Sequence, residues 1–370
     1  MIETPLVIFF MLIIVILIDK IINKNKNNKY IENFLETTEE PNKLFKVTRP
    51  FVNVYDNFGN QLNVTLLSRP FYAASHYEDY KKIKNKFLVL GISSYQEFPN
   101  EPKNPKDGYS NSNQYNYIKW VNMCEGWLHC FRDPDEFLPK QMNKILLSES
   151  DFTDCNINKP DTTVEKKYDF IYICHRDDLN DCSTNEWVAF NKNLSLAEKC
   201  FSILCKKKKY KGLLVGRGGC KLPEGCDEYI DTTNKLDYWT MIKKYDEAKF
   251  IFLPNLSDAS PRVLTEALCH NIPCLVNEKL VGGWKYVTPE TGEFFTDEND
   301  FEFKLEKIIN NLNNYKPREY FVKNYGIINA GVKFKNFVYD IFGDRINIPK
   351  EKVTYLTMEF EKKDYKKCEY

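Results

Sequence analysis

Residues 249–277 read KFIFLPNLSDASPRVLTEALCHNIPCLVN, and this stretch predicts a strand, a loop, a helix and a second strand. The apolar run 250–253 has the length of a buried strand and ends at Pro254. Residues 274–276 form a second such run after the helix. A strand, a helix and a strand in this order form one unit of an α/β domain with a parallel sheet.

The helix of this stretch carries signals at both ends. Ser260 suits the N-cap, and Pro261 suits the first turn because its missing N–H costs no hydrogen bond there. Asn271 suits a left-handed position after the last turn, and Pro273 prevents the helix from continuing. We therefore expect a short helix between these signals.

Two acids frame the predicted helix, since Asp258 precedes it and Glu266 lies inside it. The backbone N–H groups of Ala259, Ser260 and Arg262 lie at its positive end, which suits an anionic ligand such as a diphosphate. Ionised carboxylates accept hydrogen bonds and so suit sugar hydroxyls. The alternative is a surface loop followed by an ordinary helix.

The stretch resembles the donor-site segment of retaining glycosyltransferases with the GT-B fold, especially glycosyltransferase family 4, including versions carried by large DNA viruses. The family signature is an acid, seven residues and a Glu, followed by a G-x-P. Asp258 and Glu266 have this spacing, with Asp258 in place of the usual Glu. Asn271 stands at the usual Gly and tolerates positive φ. The resemblance continues through Gly282 and covers roughly residues 168–342.

The resemblance implies an α/β fold of the GT-B type with two Rossmann-like domains, and the apolar N-terminal run described below predicts a transmembrane helix before them. The N-terminal domain is expected to be reduced or divergent, because the family's glycine-rich loop near its start is missing. The last helices of the family cross back to the N-terminal domain. The expected segments are a transmembrane anchor (1–22), a linker (23–42), an acceptor-side domain (43–150), an interdomain linker (151–167), a nucleotide-sugar-binding domain (168–343) and a tail (344–370).

The order of the predicted strands and helices supports the α/β fold. In the second half, buried strands alternate with helices, which implies a parallel sheet. The predicted elements before residue 249 are strands 46–55, 61–67, 87–90, 144–147, 168–174, 211–215 and 229–232 and helices 71–86, 115–128, 194–206 and 236–245. Two helical segments, 301–313 and 318–342, follow the second strand of the opening stretch.

The resemblance also implies roles for individual residues. Glu266 would bind the nucleotide ribose, and Asp258 with nearby amides would bind the sugar. Arg176, at the carboxyl end of a strand, and Lys192 would neutralise the diphosphate. The alternative for both cations is an ordinary surface position. The candidate site residues are Asp258 and Glu266 as catalytic groups, Arg176, Lys192, Gly216, Ala259 and Ser260 as further donor contacts, and His129 and His76 as acceptor contacts.

No metal or other cofactor is expected beyond the nucleotide sugar as co-substrate, since cations would offset the charge of the leaving group. Asp133-Pro-Asp135 spells the D-x-D of metal-dependent transferases, but no buried strand precedes it. The twelve cysteines form no C-x-x-C pair, and four histidines leave a zinc site improbable. Free buried thiols are expected, notably at Cys174, Cys269 and Cys274. A formal net charge of zero gives no indication of a nucleic-acid partner.

The N-terminus carries an uninterrupted apolar run, LVIFFMLIIVILI, at residues 6–18. Extended to 2–22 it is long enough to cross a membrane. A cleaved signal peptide and a buried core helix are the alternatives. Lys20 and the lysines of 23–29 follow the run, which predicts a single-pass protein with a cytosolic catalytic region. Three glycosylation acceptors, at Asn63, Asn193 and Asn255, would then stay unmodified.

Together these features predict a membrane-anchored glycosyltransferase that transfers a sugar, with retention, from a nucleotide sugar to a glycan, lipid or protein acceptor. Two alternatives are a sugar-binding or scaffold protein that has lost turnover and a nucleotide-sugar epimerase of similar fold. The sequence does not identify the sugar, the base or the acceptor.

Overall fold

A computed structural model of the chain describes residues 44–96, 98–100, 120–358, 366 and 368. The predicted anchor 1–22 and linker 23–42 lie outside this part of the chain. Within the described part, no helix combines the length and the apolar character needed to cross a bilayer.

Two sheets of six strands organise the described residues from Val47 onward. The first sheet has the order β12-β1-β2-β3-β4-β5, and its strands are β1 (Phe51–Asp56), β2 (Gln61–Leu67), β3 (Leu88–Ile92), β4 (Gly126–His129), β5 (Asn143–Leu146) and β12 (Leu356–Met358). Strands β2 to β5 run parallel, whereas β1 is antiparallel to both of its neighbours.

The second sheet is parallel throughout, with the order β11-β10-β9-β6-β7-β8. Its strands are β6 (Tyr168–Ile173), β7 (Gly212–Val215), β8 (Ile230–Thr233), β9 (Ala248–Leu253), β10 (Cys274–Asn277) and β11 (Gly292–Phe295). The chain builds outward from β6 to β8 and then returns to β9 beside β6. The reversal between β6 and β9 is a topological switch point, where open α/β sheets bind ligands.

The helices cover both faces of this sheet and one face of the first sheet. They are α1 (Ala74–Ile83), α2 (Trp187–Asn191), α3 (Leu194–Ser202), α4 (Tyr238–Asp246), α5 (Arg262–Cys269), α6 (Glu298–Asn310), α7 (Pro317–Asn324) and α8 (Ile327–Phe342). A π-helical turn, Ile203–Lys207, extends α3.

The C-terminal part of the chain returns to the first sheet. Apolar side chains of α8, among them Phe334 and Val338, are buried in one core with Val54 and Leu66 of that sheet. Strand β12 then pairs with β1 at the sheet edge. The family resemblance implied such a crossing by the last helices, and the structure places β12 of the predicted tail in the sheet as well.

Two predicted helices differ from the observed elements. The described part of segment 115–128 contains a 3-10 turn, Trp120–Met123, and strand β4, so the helix prediction is wrong there. Gly126 allows β4 to lie close to its neighbours in the sheet. A Cβ at this position would lie 3.2 Å from Leu90 of β3 and 3.1 Å from the Asn143 carbonyl of β5. Segment 318–342 is divided between α7 and α8 at Gly326, whose φ is +90°.

The two sheets meet at the carboxyl ends of their parallel strands. Cys130 and Phe131, which follow β4, pack against Ala259 in the loop after β9. The indole nitrogen of Trp284 donates to the Cys130 carbonyl at 2.8 Å. Tyr95, which follows β3, stacks on Trp187 of α2 with ring centroids 6.1 Å apart. The loops of both sheets therefore enclose one shared region.

Candidate functional site

The loop between β9 and α5 lies at the switch point and contains Asp258. The Lys192 Nζ atom lies 2.5 Å from Asp258 Oδ2, and both side chains are less than one-fifth exposed. Asn255 Nδ2 donates to the same carboxylate oxygen at 3.2 Å. The structure thus brings together Asp258 and Lys192, which are 66 residues apart in the sequence.

The turn between α2 and α3 supports this pair. Asn193 adopts a left-handed conformation with φ +55°, and its amide donates to the Pro254 carbonyl at 3.1 Å. The Asn191 carbonyl accepts from the Leu256 N–H at 3.1 Å. Two hydrogen bonds therefore hold the β9–α5 loop against the segment that presents Lys192.

The Ala259 carbonyl and the Ser260 hydroxyl contact other groups of the protein. Ala259 is buried, and its carbonyl lies so close to Gly282 that a Cβ there would approach it to 1.9 Å. The Ser260 hydroxyl accepts from the Ser150 N–H at 2.7 Å and bonds the Ser150 hydroxyl at 3.0 Å. The prediction of Ser260 as N-cap is wrong, because Pro261 occupies that position and makes no side-chain cap.

Glu266 faces a cavity rather than the Asp258 carboxylate. It accepts a hydrogen bond from the Tyr245 hydroxyl at 3.0 Å. Burial raises the pKa of Glu266, while Tyr245 and Arg262 oppose the shift. A buried carboxylate with accepting capacity left over suits a hydroxyl-bearing ligand.

The cavity has a volume of about 260 Å³ and lies between α4, α5 and the segment that connects the two sheets. Tyr238, Arg262, Phe152 and Asn158 line it together with Glu266. Of the described residues, Asp258, Lys192 and Arg176 are not in its lining. Arg49, Glu149 and Asp154 also line it, so aromatic walls stand beside two guanidinium groups and three carboxylates. This chemistry suits a ligand with an apolar face and several hydroxyl groups, such as a nucleoside.

Arg176 is held by protein groups. Its guanidinium donates to the Gly218 carbonyl at 2.8 Å and lies 3.1 Å and 3.0 Å from the sulfurs of Cys182 and Cys220, which form a disulfide. Arg176 is 7% exposed. The structure therefore ties the predicted diphosphate ligand to the loop after β7 and does not bring it to Lys192 by any hydrogen bond among the described residues.

Gly216 begins the loop after β7, at a position that only glycine fits. Its φ is +100°, and a Cβ would lie 2.3 Å from the His175 Cα at the end of β6. The glycine lets the loops after β6 and β7 approach each other. Its part in the site is thus to allow a close approach of two backbones.

Sequence reasoning missed two charged residues beside these loops. Arg217, 1% exposed, pairs with Glu186 at 3.1 Å and donates to the Cys174 carbonyl at 3.1 Å. Glu186 also caps α2 through the N–H groups of Val188 and Ala189. A buried Arg in a glycine turn is not distinguishable from a surface Arg by sequence pattern, because its partner comes from another loop.

His129 and His76 differ in position. His129 ends β4 and is buried, and burial, aided by nearby Lys285 and Lys144, lowers its pKa to about 4. It lies in the region shared by the two sheets. His76, in α1, accepts from the Tyr72 N–H at 3.3 Å and packs on Phe71, which gives it a structural role.

The expectation of free thiols is confirmed for Cys174, Cys269 and Cys274, which are buried and unpaired. It is wrong for six others, which pair as Cys155–Cys368, Cys182–Cys220 and Cys205–Cys226. The partners lie far apart in the sequence, which is why no spacing motif indicated them.

The D-x-D segment makes local contacts. Asp133 accepts from the Asp135 N–H at 3.1 Å, and Asp135 pairs with Lys144 at 2.6 Å. Across the described ranges, no three His, Cys, Asp or Glu side chains are grouped in a way that could hold a metal ion.

Several buried amides in the segments between the strands of the two sheets have unfilled hydrogen-bonding capacity among the described residues. Within the described ranges, both amide atoms of Gln96 and of Asn191 and the Asn255 Oδ1 atom have no hydrogen-bond partner. Sequence analysis did not identify Gln96 or Asn191. The one available signal was the position of Gln96 shortly after a predicted buried strand.

Comparison with protein-family models found no match, and comparison with curated protein sequences found none either. Solved structures do match. TarM is 14% identical with a TM-score of 0.54, over 71% of this chain and 52% of that chain. A sucrose-phosphate synthase from Thermosynechococcus elongatus is 12% identical with a TM-score of 0.53, over 75% of this chain and 73% of that chain.

The pneumococcal O-GlcNAc transferase GtfA, in complex with UDP and GlcNAc, is 11% identical with a TM-score of 0.51, over 72% of this chain and 55% of that chain. The alignments thus span about half the length of TarM and GtfA. These likenesses, with the two α/β sheets that meet at their carboxyl ends, show that the chain has the GT-B fold.

Proposed function

We propose that this protein is a glycosyltransferase that moves a sugar from a nucleotide-sugar donor to a glycan acceptor bound between the two sheets. The observation that carries the proposal is the Lys192–Asp258 pair at the switch point of the second sheet, beside the N-terminus of α5. A cation beside an acid suits a diphosphate next to a sugar. The solved structures that share the fold support the same activity.

The donor would lie along α5. Its sugar would contact Asp258, its diphosphate would lie near Lys192 and the first N–H groups of the helix, and its ribose would contact Glu266. The cavity beside Glu266 offers a place for the base, with Tyr238 and Phe152 in its walls. Arg176 would contribute only if its contacts with Gly218 and the disulfide were exchanged for the diphosphate.

Transfer with retention, as in family 4, is the proposed outcome at the anomeric carbon. The acceptor is proposed to be a glycan, with lipid or protein acceptors as further options, and His129 is the candidate acceptor contact from the first sheet. A membrane anchor at 1–22 would place this acceptor near a bilayer surface.

The orientation of the catalytic region can be decided by experiment. The lysines after the anchor support a cytosolic orientation. The three cysteine pairs would form in an oxidising compartment. Alkylation of the denatured protein without reductant should leave six cysteines unlabelled if the pairs exist in the cell, and protease treatment of sealed vesicles should report the side. Asn255 is fully buried, so a glycan there is incompatible with this fold.

The activity can be tested by a thermal-shift screen against nucleotide sugars, followed by assays of nucleotide release with candidate acceptors. A ligand at a hundred times its dissociation constant stabilises the fold by about 2.7 kcal/mol. The expected result is acceptor-dependent nucleotide release by wild type that is strongly reduced in Asp258→Asn and kept in the exposed control Glu228→Gln. Donor binding without release for any acceptor would favour a sugar-binding scaffold, and epimer formation without acceptor would favour an epimerase.

A further inference from the structure

We propose that Gln96 and Asn191, contributed by opposite sheets, bind hydroxyl groups of the sugar that is transferred. This inference rests on the proposed function and deepens it, because it names the groups that recognise the sugar itself. It identifies the transferred group as a neutral sugar read by uncharged amides.

Both side chains are buried, and neither has a hydrogen-bond partner among the described residues. Gln96 is 6% exposed and Asn191 is 5% exposed. Among the described residues, neither the oxygen nor the nitrogen of either amide has a hydrogen-bond partner. Buried polar atoms are almost always paired in native proteins, and leaving one unpaired destabilises the fold. Four unpaired amide atoms in one region indicate a polar ligand.

Contacts of neighbouring residues link the segments that carry Gln96 and Asn191. Tyr95, next to Gln96, stacks on Trp187 across the boundary between the sheets. Asn191 lies one helical turn after Trp187 in α2, on the same side of the helix. The indole nitrogen of Trp187 is itself buried and unpartnered within the described ranges. The Tyr95–Trp187 contact therefore joins the two amide-bearing segments.

Asn191 is also joined to the loop that carries Asp258. Its backbone carbonyl accepts from the Leu256 N–H at 3.1 Å, and the buried Oδ1 of the neighbouring Asn255 has no hydrogen-bond partner in the described part of the chain. The unpaired amide groups thus lie beside the acid proposed to contact the sugar. Nucleoside contacts are proposed on the other side, at Glu266, so the amides fall on the sugar side of the donor.

The backbone at Gln96 is held in an unfavourable conformation. Its φ is +46°, in the left-handed region that long side chains seldom adopt. Such conformations persist where the surrounding structure enforces them and are enriched at ligand sites. The positive φ and the burial together indicate that the fold positions the Gln96 side chain to bind a ligand.

Amide chemistry fits sugar hydroxyls. Each amide supplies two donors and an acceptor with two lone pairs, and a hydroxyl both donates and accepts. An amide can therefore form complementary bonds with adjacent hydroxyls of one ring. Neither amide carries charge, so this part of the site provides no counter-ion for an acidic sugar.

The experiment compares Gln96→Leu, Asn191→Leu and the exposed control Gln141→Leu in the full chain. Wild type is first screened for the nucleotide sugar that stabilises it most, among UDP-glucose, UDP-galactose, UDP-GlcNAc and their GDP and ADP counterparts. Affinity is then measured for that nucleotide sugar and for the matching nucleoside diphosphate. Each site variant should bind the nucleotide sugar about three- to tenfold more weakly, because one neutral hydrogen bond contributes about this factor to the affinity. Affinity for the nucleoside diphosphate should change less than about twofold.

Melting temperature provides a second readout. Replacing an unpaired buried amide by an apolar side chain of similar size should leave the melting temperature of the ligand-free protein unchanged or raise it. A lower melting temperature in both variants would show that the amides have protein partners, which overturns the inference. Equal losses for nucleotide sugar and nucleoside diphosphate, or no loss, would also overturn it. If wild type binds no nucleotide sugar, the proposed function fails, and the inference fails with it.

Discussion

Lys192 and Asp258 form an ion pair of 2.5 Å that joins the end of α2 to the loop before α5. In the ligand-free protein each charge is thus neutralised by the other. A donor that brings a diphosphate to Lys192 and hydroxyls to Asp258 would replace this pair by two sets of ligand contacts. The two residues should therefore act as one unit in donor binding.

The double variant tests this coupling. Lys192→Met and Asp258→Asn should each weaken donor binding, and their combined effect should differ from the sum by about 0.5–3 kcal/mol, because groups in contact are not independent. Calorimetric titration of wild type, both single variants and the double variant gives the coupling. Additive losses would mean that the pair is not exchanged during binding.

Asp258 and Glu266 should have separable kinetic effects. Glu266 is proposed to hold the unreactive ribose, so Glu266→Gln should mainly raise the donor KM. Asp258 is proposed to hold the reacting sugar, so Asp258→Asn should mainly lower kcat, with retention in the residual product. Initial-rate kinetics on both variants, with melting curves to confirm folding, measure this. An unchanged kcat in Asp258→Asn would remove Asp258 from the mechanism.

Arg176 should prove more important for stability than for the diphosphate. Arg176→Met removes the charged donor of the partly buried Gly218 carbonyl, which should lower the free energy of unfolding by about 1–3 kcal/mol. Chemical denaturation measures this loss, and titration with UDP and uridine measures any effect on the phosphates. Unchanged stability with a selective loss of UDP affinity would instead restore Arg176 to the donor site.

Gly216 and Gly219 offer a matched comparison in one turn. Both have positive φ, but a Cβ on Gly216 meets the His175 backbone, whereas a Cβ on Gly219 has no atom within 4 Å in the described structure. Gly216→Ala should destabilise the protein by about 1–3 kcal/mol more than Gly219→Ala, because only the first adds a clash to the backbone strain. Denaturation midpoints decide this. Equal losses would show that the close approach at His175 relaxes freely.

His129 should make stability depend on acidity. Its folded pKa of about 4 lies below the ordinary histidine value of 6.5, so the unfolded chain takes up the proton first. The free energy of unfolding that the neutral His129 contributes is complete above the unfolded pKa. This contribution is lost as the pH falls from 6.5 towards 4. At pH 5 this loss is about 2 kcal/mol by linkage.

His129→Phe removes the titrating group and keeps a ring beside Phe131, which His129 stacks on at 6.3 Å. The fall in unfolding free energy between pH 7 and pH 5 should be smaller in this variant than in wild type. Denaturation at the two pH values measures the difference. Parallel losses in both proteins would mean that His129 is not held neutral by the fold.

The sequence alone predicted most of the second sheet. The apolar runs at β6, β7, β9 and β10 and the stop signals around α5 are local, and local backbone preferences survived in the fold. Asn271 shows this well, since the predicted left-handed position has an observed φ of +59°. Segment 115–128 shows the limit, because an apolar run that could be helix or strand became β4 through its neighbours in the sheet.

The partners of the functional side chains were decided by the tertiary structure. The acid spacing identified Asp258 and Glu266, but only the fold shows that Asp258 pairs with Lys192 while Glu266 faces a separate cavity. Arg176 and Ser260 fit their sequence patterns and yet bond Gly218 and Ser150. The physical reason is that a pattern reports the backbone conformation of its own segment, whereas a side chain's partner depends on which distant loops end at the same edge of a sheet.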